Sequence, residues 1–304
     1  MDAKRSSKLT NEIKRTMRDL NYQLKQLCRN NRDGSYGTQT GRSRILNMIA
    51  DQLNALGYRS MKAQSLKPKH VIALTNLWNT QNISVGSQKN RLSAIRWWAR
   101  KIGKQNVVAK NNQAYGIGSR TFVSNQSKSQ ELDRYKLTKI TDPRTRLSLR
   151  LQDAFGLRRE EAIKFRPRSA IQDDHIKLKS SWCKGGRARI VPITNDDQRK
   201  VLADVEAYVK GGSLIHSSLN YAQQLHRYEG QTLRAGFSKL HGLRHGYAQR
   251  RFEALAGFPC PAKGGPISQE LTTKQRDLDT EARMIISAEL GHSREAITAV
   301  YLGR

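Results

Sequence analysis

Side chains suited to chemistry on a phosphate are concentrated in five short stretches of the second half of the chain. An arginine guanidinium presents a planar fork of donors that matches phosphate oxygens, and it keeps its charge. His241 and Arg244 are three positions apart, so on a helix they share one face and can reach the same phosphate. With a tyrosine hydroxyl as nucleophile, the set suits phosphoryl transfer to a protein side chain. In chain order the stretches are residues 156–162, Lys184, residues 241–245, residues 290–293 and Tyr301.

The last two stretches must come together for this chemistry. His292 and Tyr301 are nine positions apart, about two and a half turns if the segment is helical. The apolar spacing predicts a helix over residues 281–301. A loop cap at the histidine then brings both side chains to one site.

The charge of the chain points to a polyanionic partner. Lys and Arg number 55 against 25 Asp and Glu among 304 residues, a formal net charge of +30. Such a surplus repels itself unless a polyanion neutralises it, and nucleic acid is the usual one. Residues 1–128 hold 24 basic and 5 acidic side chains, as expected of a clamp on a DNA backbone. Hydrophobic residues make up 37%, which supports folded cores and excludes general disorder.

Several other classes of protein are excluded by the sequence. No apolar stretch approaches the 18 residues of a membrane-spanning helix, and no apolar segment of a secretory signal follows the basic N-terminus. Three widely spaced cysteines without a CxxC pair argue against a disulfide framework or a zinc site. HExxH, paired-aspartate and phosphate-loop motifs are absent. We therefore expect chemistry on nucleic acid without a metal ion, a nucleotide or any other cofactor.

The N-terminal part of the chain is predicted to be all-helical. Apolar residues recur with helical spacing in four stretches, and in the last of them Leu92, Ile95 and Trp98 are predicted to face inward. Pro68 suits the first turn of the third helix. The four stretches are residues 11–29 (starting with Ile13 and Met17), 45–56, 68–78 and 87–102.

A connecting segment and a mixed region follow. Residues 104–130 contain Gly, Asn and Ser without a sustained period, which is typical of a linker. Residues 175–193 alternate on both sides of Gly185 and Gly186 and therefore predict a β-hairpin with Lys184 near its tip. Helical spacing returns at residues 195–209 and 241–255, and again at 281–301.

The order of these motifs resembles the tyrosine recombinase and integrase family, whose members include phage lambda integrase and the Xer recombinases. Each motif of the family has a counterpart, and the resemblance covers roughly residues 145–304. The basic helical part before it also fits. The counterparts are residues 156–161 for G-L-R-x-x-E, Lys184 with residues 189–193 for the hairpin lysine and its R-x-V-P-[IL] strand, residues 241–245 for H-x-L-R-H, and residues 290–292 with Tyr301 for L-G-H and its tyrosine.

The resemblance implies a mainly α fold with a small β-hairpin or sheet, closing as a C-shaped clamp around DNA. It implies a SAM-like helical core-binding domain over residues 1–110, a linker over 111–130 and a mixed α+β catalytic domain over 131–304. The 51 residues from His241 to His292 exceed the spacing of compact members, which predicts an insertion at about 257–280. Many members carry a helix after the tyrosine that docks on a neighbouring protomer. Only three residues follow Tyr301, so we expect that contact to be absent or supplied by another segment.

The resemblance also implies a nucleophile and proton-transfer groups. Tyr301 is expected to attack a scissile DNA phosphate, forming a 3′-phosphotyrosyl bond and releasing a 5′-hydroxyl. Because a free tyrosine has a pKa of about 10, its hydroxyl needs a partner that takes the proton. His241 is the expected general base and Lys184 the expected acid for the leaving oxygen.

The remaining residues are expected to stabilise and position the reacting phosphate. Arg158 and Arg244 are expected to clamp the non-bridging oxygens in the transition state. His292 is expected to donate a hydrogen bond to the phosphate, with Glu161 and His245 in supporting roles. Neighbouring residues of the same type compete for four roles, and their place in the motif order favours Arg158 over Arg159, Lys184 over Lys177 and Lys179, His241 over His245, and Tyr301 over Tyr247.

Three functions remain open from the sequence. The first is a site-specific recombinase that integrates or excises a mobile element, acting as a homotetramer on two double-stranded DNA sites with a dimer on each. Accessory DNA-bending proteins are possible further partners, and the expected location is the cytoplasm, at the bacterial nucleoid. The alternatives are a DNA-relaxing enzyme resembling type IB topoisomerases and a non-catalytic DNA-binding regulator. DNA contacts are expected at Lys67, Lys69, Lys89, Arg91, Arg96 and Arg187.

Overall fold

The computed structural model describes residues 19–292 and 294–304, and the chain divides into two compact units between Arg120 and Thr121. The prediction of a mainly helical fold with a small β-hairpin is confirmed. Ile13 and Met17, which begin the first predicted helical stripe, lie outside the described residues. In the part of the chain that the structure describes, no helix is both long enough and apolar enough to cross a membrane.

Four helices form the described part of the first unit, residues 19–120. Ser35 and Ser84 cap two of them by accepting a backbone N–H of the first turn, and Pro68 occupies the first turn of a third, where no N–H is needed. Leu92, Ile95 and Trp98 are fully buried, as their spacing predicts. The helices are α1 (Asp19–Asn30), α2 (Tyr36–Ala55), α3 (Pro68–Thr80) and α4 (Val85–Lys101), with 3₁₀ turns at Ala63–Ser65, Gln105–Val107 and Asn112–Tyr115.

The core of the first unit continues beyond residue 110. Ile117 is 2% exposed and packs into this core. The guanidinium of Arg96 donates to the Ala109 carbonyl and to the Asn112 side chain, both at 2.8 Å. These bonds engage Nε and Nη2 of Arg96 with the turn that follows α4, and a DNA contact of Arg96 stays a prediction.

The second unit packs its helices around α11, which contacts α6, α12 and α13. Phe155, Phe252, Ile286 and Leu302 are fully buried in its main core. The helices are α5 (Arg134–Thr138), α6 (Pro143–Phe155), α7 (Arg159–Ile163), α8 (Pro167–Ala170), α9 (Asp196–Val209), α10 (Tyr221–Arg234), α11 (Gly242–Ala256), α12 (Thr273–Glu289) and α13 (Ala299–Leu302). The 3₁₀ turns are Ser180–Trp182, Pro261–Lys263 and Glu295–Ile297.

The predicted hairpin is an antiparallel pair of short strands, β1 (His175–Leu178) and β2 (Arg189–Pro192). His175 pairs with Pro192 and Leu178 with Arg189. The connection includes Gly185 and Gly186, whose φ angles of 80° and 68° favour glycine. Lys184 is exposed in this connection, and the alternation of β2 directs the Arg189 side chain inward.

The helical spacing over residues 281–301 corresponds to two helices separated by a loop rather than to a single helix. Helix α12 starts earlier, after the Thr272 cap, and ends at Glu289. Gly291 then adopts a left-handed conformation with a φ of +63°, which ends the helical path of the chain. His292 therefore lies in a loop. The proposed insertion at 257–280 comprises the 3₁₀ turn Pro261–Lys263, which packs against α13, and the first turns of α12.

Candidate active site

A sharp turn after α6 presents Arg158. Gly156 has a φ of +60°, and a Cβ atom there would lie 2.5 Å from the Tyr247 ring, so the position requires glycine. Arg158 caps α7, and the Glu161 carboxylate accepts its backbone N–H at 2.7 Å and its Nη1 at 3.0 Å. The carboxylate therefore fixes both the backbone and the guanidinium of Arg158.

A buried ion pair holds Glu161 in turn. Arg189 donates from Nη1 and Nη2 to the two Glu161 oxygens, each at 2.6 Å, and from Nε to the Glu289 carbonyl at 2.8 Å. Burial raises the pKa of Glu161, but the hydrogen bonds and charge of Arg189 outweigh it and lower the pKa to about 2. The sequence motif includes Arg189 only as the first residue of the R-x-V-P-[IL] strand. The sequence signal for its role is a charged residue on the inward face of β2, beside the buried Val191.

Arg244 links three elements at the centre of the site. Its side chain is 1% exposed because α11 places it against the ends of α6 and α12. Nη1 donates to the Gly156 carbonyl at 2.5 Å, Nη2 donates to the Leu290 carbonyl, and Nε lies 3.4 Å from the Tyr301 hydroxyl. Burial lowers the pKa of Arg244 to about 10, so the guanidinium is charged at neutral pH.

Tyr301 lies among these groups in the same subunit. It is 7% exposed, and its hydroxyl is 3.2 Å from Nε2 of His241. The ring centroids of His245 and His292 lie 4.4 and 5.3 Å from that of Tyr301, and His292 is nearly parallel to it, at 25°. The Tyr301 backbone carbonyl accepts from the buried Gln249 at 3.0 Å, a contact that the sequence did not suggest.

Three histidines at the site have lowered pKa values. Burial, followed by the charges of Arg244 and Arg158, lowers the pKa of His241. Burial and the neighbouring His241 lower the pKa of His245 to about 4. Burial and Arg244 lower the pKa of His292 to about 3, while its Nδ1 lies 2.9 Å from the Thr298 hydroxyl. These imidazoles are therefore neutral at pH 7, and His241 can accept a proton.

The groups open onto a cavity of about 550 Å³. Five of the six predicted catalytic residues line the cavity, whereas Arg244 is buried and does not line it. Cationic walls attract an anion of the size of a phosphodiester. Groups of three or more potential metal ligands are not found among the described residues. The lining includes Arg158, Lys184, Arg187, His241, His292 and Tyr301.

The competing residues have other surroundings. Arg159 forms an exposed ion pair with Glu229 at 2.8 Å. The Tyr247 hydroxyl is buried and donates to the Glu289 carboxylate at 2.7 Å. Lys177 and Lys179 are exposed on and beside β1 and do not line the cavity.

The residues expected to contact DNA differ in their availability. Lys67, Lys69 and Arg187 are exposed, and Lys89 is partly exposed. The Arg91 guanidinium instead packs over the Trp78 ring, 5.3 Å from its centroid, and burial lowers the pKa of Arg91. The aromatic contact and partial burial leave Arg91 less accessible than its predicted outward position implied.

Comparison with protein families agrees with both units. The family model described as "Phage integrase, N-terminal" matches residues 17–108, and the model described as "Integrase" matches residues 117–250. The chain belongs to the tyrosine recombinase family of integrases. This integrase is a DNA strand transferase by family. The second match ends before His292 and Tyr301, so the assignment of those two residues rests on their geometry.

Solved structures share the fold of this integrase. XerH recombinase bound to a palindromic difH substrate is 16% identical over 93% of this chain and 81% of its own, with a TM-score of 0.56. A lambda integrase dimer bound to a COC′ core site is 16% identical over 90% and 74%, with a TM-score of 0.58. The Tn1549 transposon integrase with circular intermediate DNA is 14% identical over 93% and 95%, with a TM-score of 0.52. No curated protein matches the sequence.

Proposed function

We propose that this integrase is a site-specific recombinase that cleaves and rejoins double-stranded DNA through a 3′-phosphotyrosyl intermediate at Tyr301, and that it integrates or excises a mobile element. One observation carries the proposal: the Tyr301 hydroxyl lies 3.2 Å from His241 and 3.4 Å from Arg244 of the same chain. A phenol in contact with a neutral imidazole and a guanidinium, beside a cationic cavity, is arranged for attack on a phosphodiester.

The reaction begins with proton transfer from the nucleophile. As the Tyr301 oxygen forms its bond to phosphorus, its proton passes to Nε2 of His241. The lowered pKa keeps that imidazole unprotonated at neutral pH. The phosphorus–O5′ bond breaks on the opposite side, and Lys184 supplies the proton of the released 5′-hydroxyl. The products are a 3′-phosphotyrosine and a free 5′-hydroxyl.

Fixed charges stabilise the five-coordinate transition state. Arg158 has its guanidinium at the cavity, 24% exposed, and is held by Glu161. Arg244, expected from the sequence to clamp a phosphate oxygen, is 1% exposed with its Nε 3.4 Å from the Tyr301 hydroxyl, so we propose instead that it stabilises the charge developing on that oxygen. Since donors that are already oriented need no rearrangement as charge develops, they lower the barrier to the reaction. The covalent bond conserves the phosphodiester energy, so a 5′-hydroxyl from another duplex reverses the steps and exchanges strands without ATP.

Strand exchange requires paired sites. One lambda integrase structure with this fold is a tetramer bound to a Holliday junction, with a TM-score of 0.55. We propose the same arrangement here, with four copies on two DNA sites. In this proposal each copy cleaves with its own Tyr301, because the hydroxyl meets His241 and Arg244 within one chain.

A nicked duplex taken from the ends of the mobile element tests the proposal, because loss of the short fragment beyond the nick traps the covalent intermediate. The wild-type protein should form an adduct on the peptide that contains Tyr301. Tyr301→Phe should bind the same DNA and form none. An adduct at another residue refutes the proposed nucleophile. Relaxation of a plasmid that carries one site, without exchange between paired sites, refutes the recombinase in favour of a topoisomerase.

A further inference from the structure

The segment that precedes the catalytic helices, residues 125–130, is docked against α11 rather than free, and we call it the strap. The Gln130 backbone N–H donates to the Gly242 carbonyl at 3.0 Å. A Cβ atom at Gly242 would lie 2.8 Å from the Lys128 carbonyl, and one at Gly246 would lie 2.8 Å from the Gln130 carbonyl. Two glycines one turn apart therefore form a groove that admits the strap backbone.

The strap also forms hydrogen bonds with the chain on the C-terminal side of Tyr301. The Asn125 side-chain amide donates to the Arg304 carbonyl at 2.8 Å and accepts the Arg304 backbone N–H at 2.9 Å. At the preceding residue, a Cβ atom on Gly303 would lie 2.6 Å from the Asn125 side-chain oxygen, so only glycine allows this approach. This close approach fixes the backbone three residues beyond the nucleophile.

A second connection reaches Tyr301 itself. The Ser127 hydroxyl donates to the side-chain oxygen of Gln249 at 3.0 Å, and the Gln249 amide nitrogen donates to the Tyr301 carbonyl at 3.0 Å. Gln249 is 2% exposed, so hydrogen bonds within the protein, rather than bulk water, set the orientation of its amide. Ser127 therefore orients the group that holds the backbone of the nucleophile.

We propose that the strap positions Tyr301, with Asn125 and Ser127 as positioning residues that act through Arg304 and Gln249. The inference rests on the proposed role of Tyr301 as nucleophile. A displacement of about 1 Å in a reacting group costs on the order of 10²-fold in rate. Two hydrogen-bonded anchors, on the backbone of Tyr301 and of Arg304, can therefore control cleavage. The strap begins five residues after Arg120, where the first unit ends, and it links that unit to the nucleophile through the chain.

The test compares Asn125→Ala and Ser127→Ala with the wild-type full-length protein on the nicked duplex. At saturating protein, each variant should form the covalent adduct about 2- to 12-fold more slowly, the range that corresponds to a net hydrogen bond of about 0.5–1.5 kcal/mol. DNA affinity in a gel-shift titration should not change. Ser127→Thr keeps the hydroxyl and should restore the rate. Gly246→Ala, whose Cβ would displace the strap, should also slow cleavage at unchanged affinity.

Two matched controls separate positioning from general effects. Gln126→Ala alters an exposed strap side chain that takes no part in the hydrogen bonds of Asn125 and Ser127. Gly230→Ala adds a methyl group on α10 at ordinary contact distance from Arg234. Both should cleave at the wild-type rate. If Asn125→Ala and Ser127→Ala also match the wild type, or if their DNA affinity falls in parallel with their rate, the strap does not position Tyr301. Absence of an adduct from the wild-type protein removes the proposed function, and this inference with it.

Discussion

Removing the guanidinium of Arg189 should destabilise the catalytic unit more than removing an exposed charge does. The side chains of Arg189 and Glu161 are 4% and 1% exposed, so Arg189→Met leaves a buried carboxylate that keeps its ion pair with Arg158 but loses that with Arg189. Breaking a buried pair by removing one partner costs about 3–5 kcal/mol. Because burial is the largest influence on Glu161 and raises its pKa, that pKa should rise well above its present value of about 2.

The assay must report on the catalytic unit alone, since a two-unit protein does not unfold in one step. Hydrogen exchange in increasing urea, followed on peptides from α7 and β2, measures the free energy of opening of that unit. Arg159→Met is the matched control. Its ion pair with Glu229 has side chains 48% and 51% exposed, and exposed pairs contribute about 0–1 kcal/mol.

A second variant isolates the buried charge as the cause. Glu161→Leu combined with Arg189→Met removes both partners and should be more stable than Arg189→Met alone, because no uncompensated carboxylate remains. The reasoning is refuted if Arg189→Met costs no more than Arg159→Met. It is also refuted if the double variant is no more stable than Arg189→Met.

Two further predictions concern protons at the site. The pKa values of His245 and His292, about 4 and 3, lie below the unfolded value near 6.5, so the stability that depends on the neutral rings is present above pH 6.5 and declines as the pH falls toward 4 and then 3. Urea unfolding of the catalytic unit between pH 7.5 and 4 should show this loss, and a flat profile contradicts it. Lys184→Ala should slow cleavage by about 10²- to 10⁴-fold. The same variant should cleave a substrate with sulfur as the 5′-bridging atom at nearly the wild-type rate. A thiol with a pKa of about 8.5 leaves as the thiolate and needs no proton donor. Equal slowing on both substrates excludes Lys184 as the acid.

The helices and the hairpin were predictable because their signals are local. The buried face of α4 follows from the spacing of Leu92, Ile95 and Trp98, and the strand pair follows from alternation on both sides of two glycines. A loop cap at His292 was expected, but the end of α12 at Glu289 was not predictable because apolar residues continue at helical spacing beyond Gly291. The left-handed conformation of that glycine and the Arg189 side chain beneath it depend on tertiary packing.

The motif residues of the candidate site were also predictable, but the groups that hold them were not. Arg189, Gln249 and the strap act through contacts between segments far apart in the chain. The sequence does not distinguish Gly242 and Gly246 from other helical residues. Only the structure shows that the strap backbone lies 2.8 Å from where their Cβ atoms would be. A serine such as Ser127 in a polar linker gives no sequence sign that it orients a buried amide 122 positions away.

The protonation states of the site follow from one arrangement of charge. Arg158, Arg189 and Arg244 carry positive charge near the cavity, and the Glu161 carboxylate faces the first two. The resulting positive field adds to burial in keeping His241 and His292 neutral. A phosphodiester entering the cavity brings negative charge and must raise both pKa values. In the proposed mechanism His241 is therefore an unprotonated base in the free protein, and the charge of bound DNA would raise its affinity for the Tyr301 proton when cleavage requires that transfer.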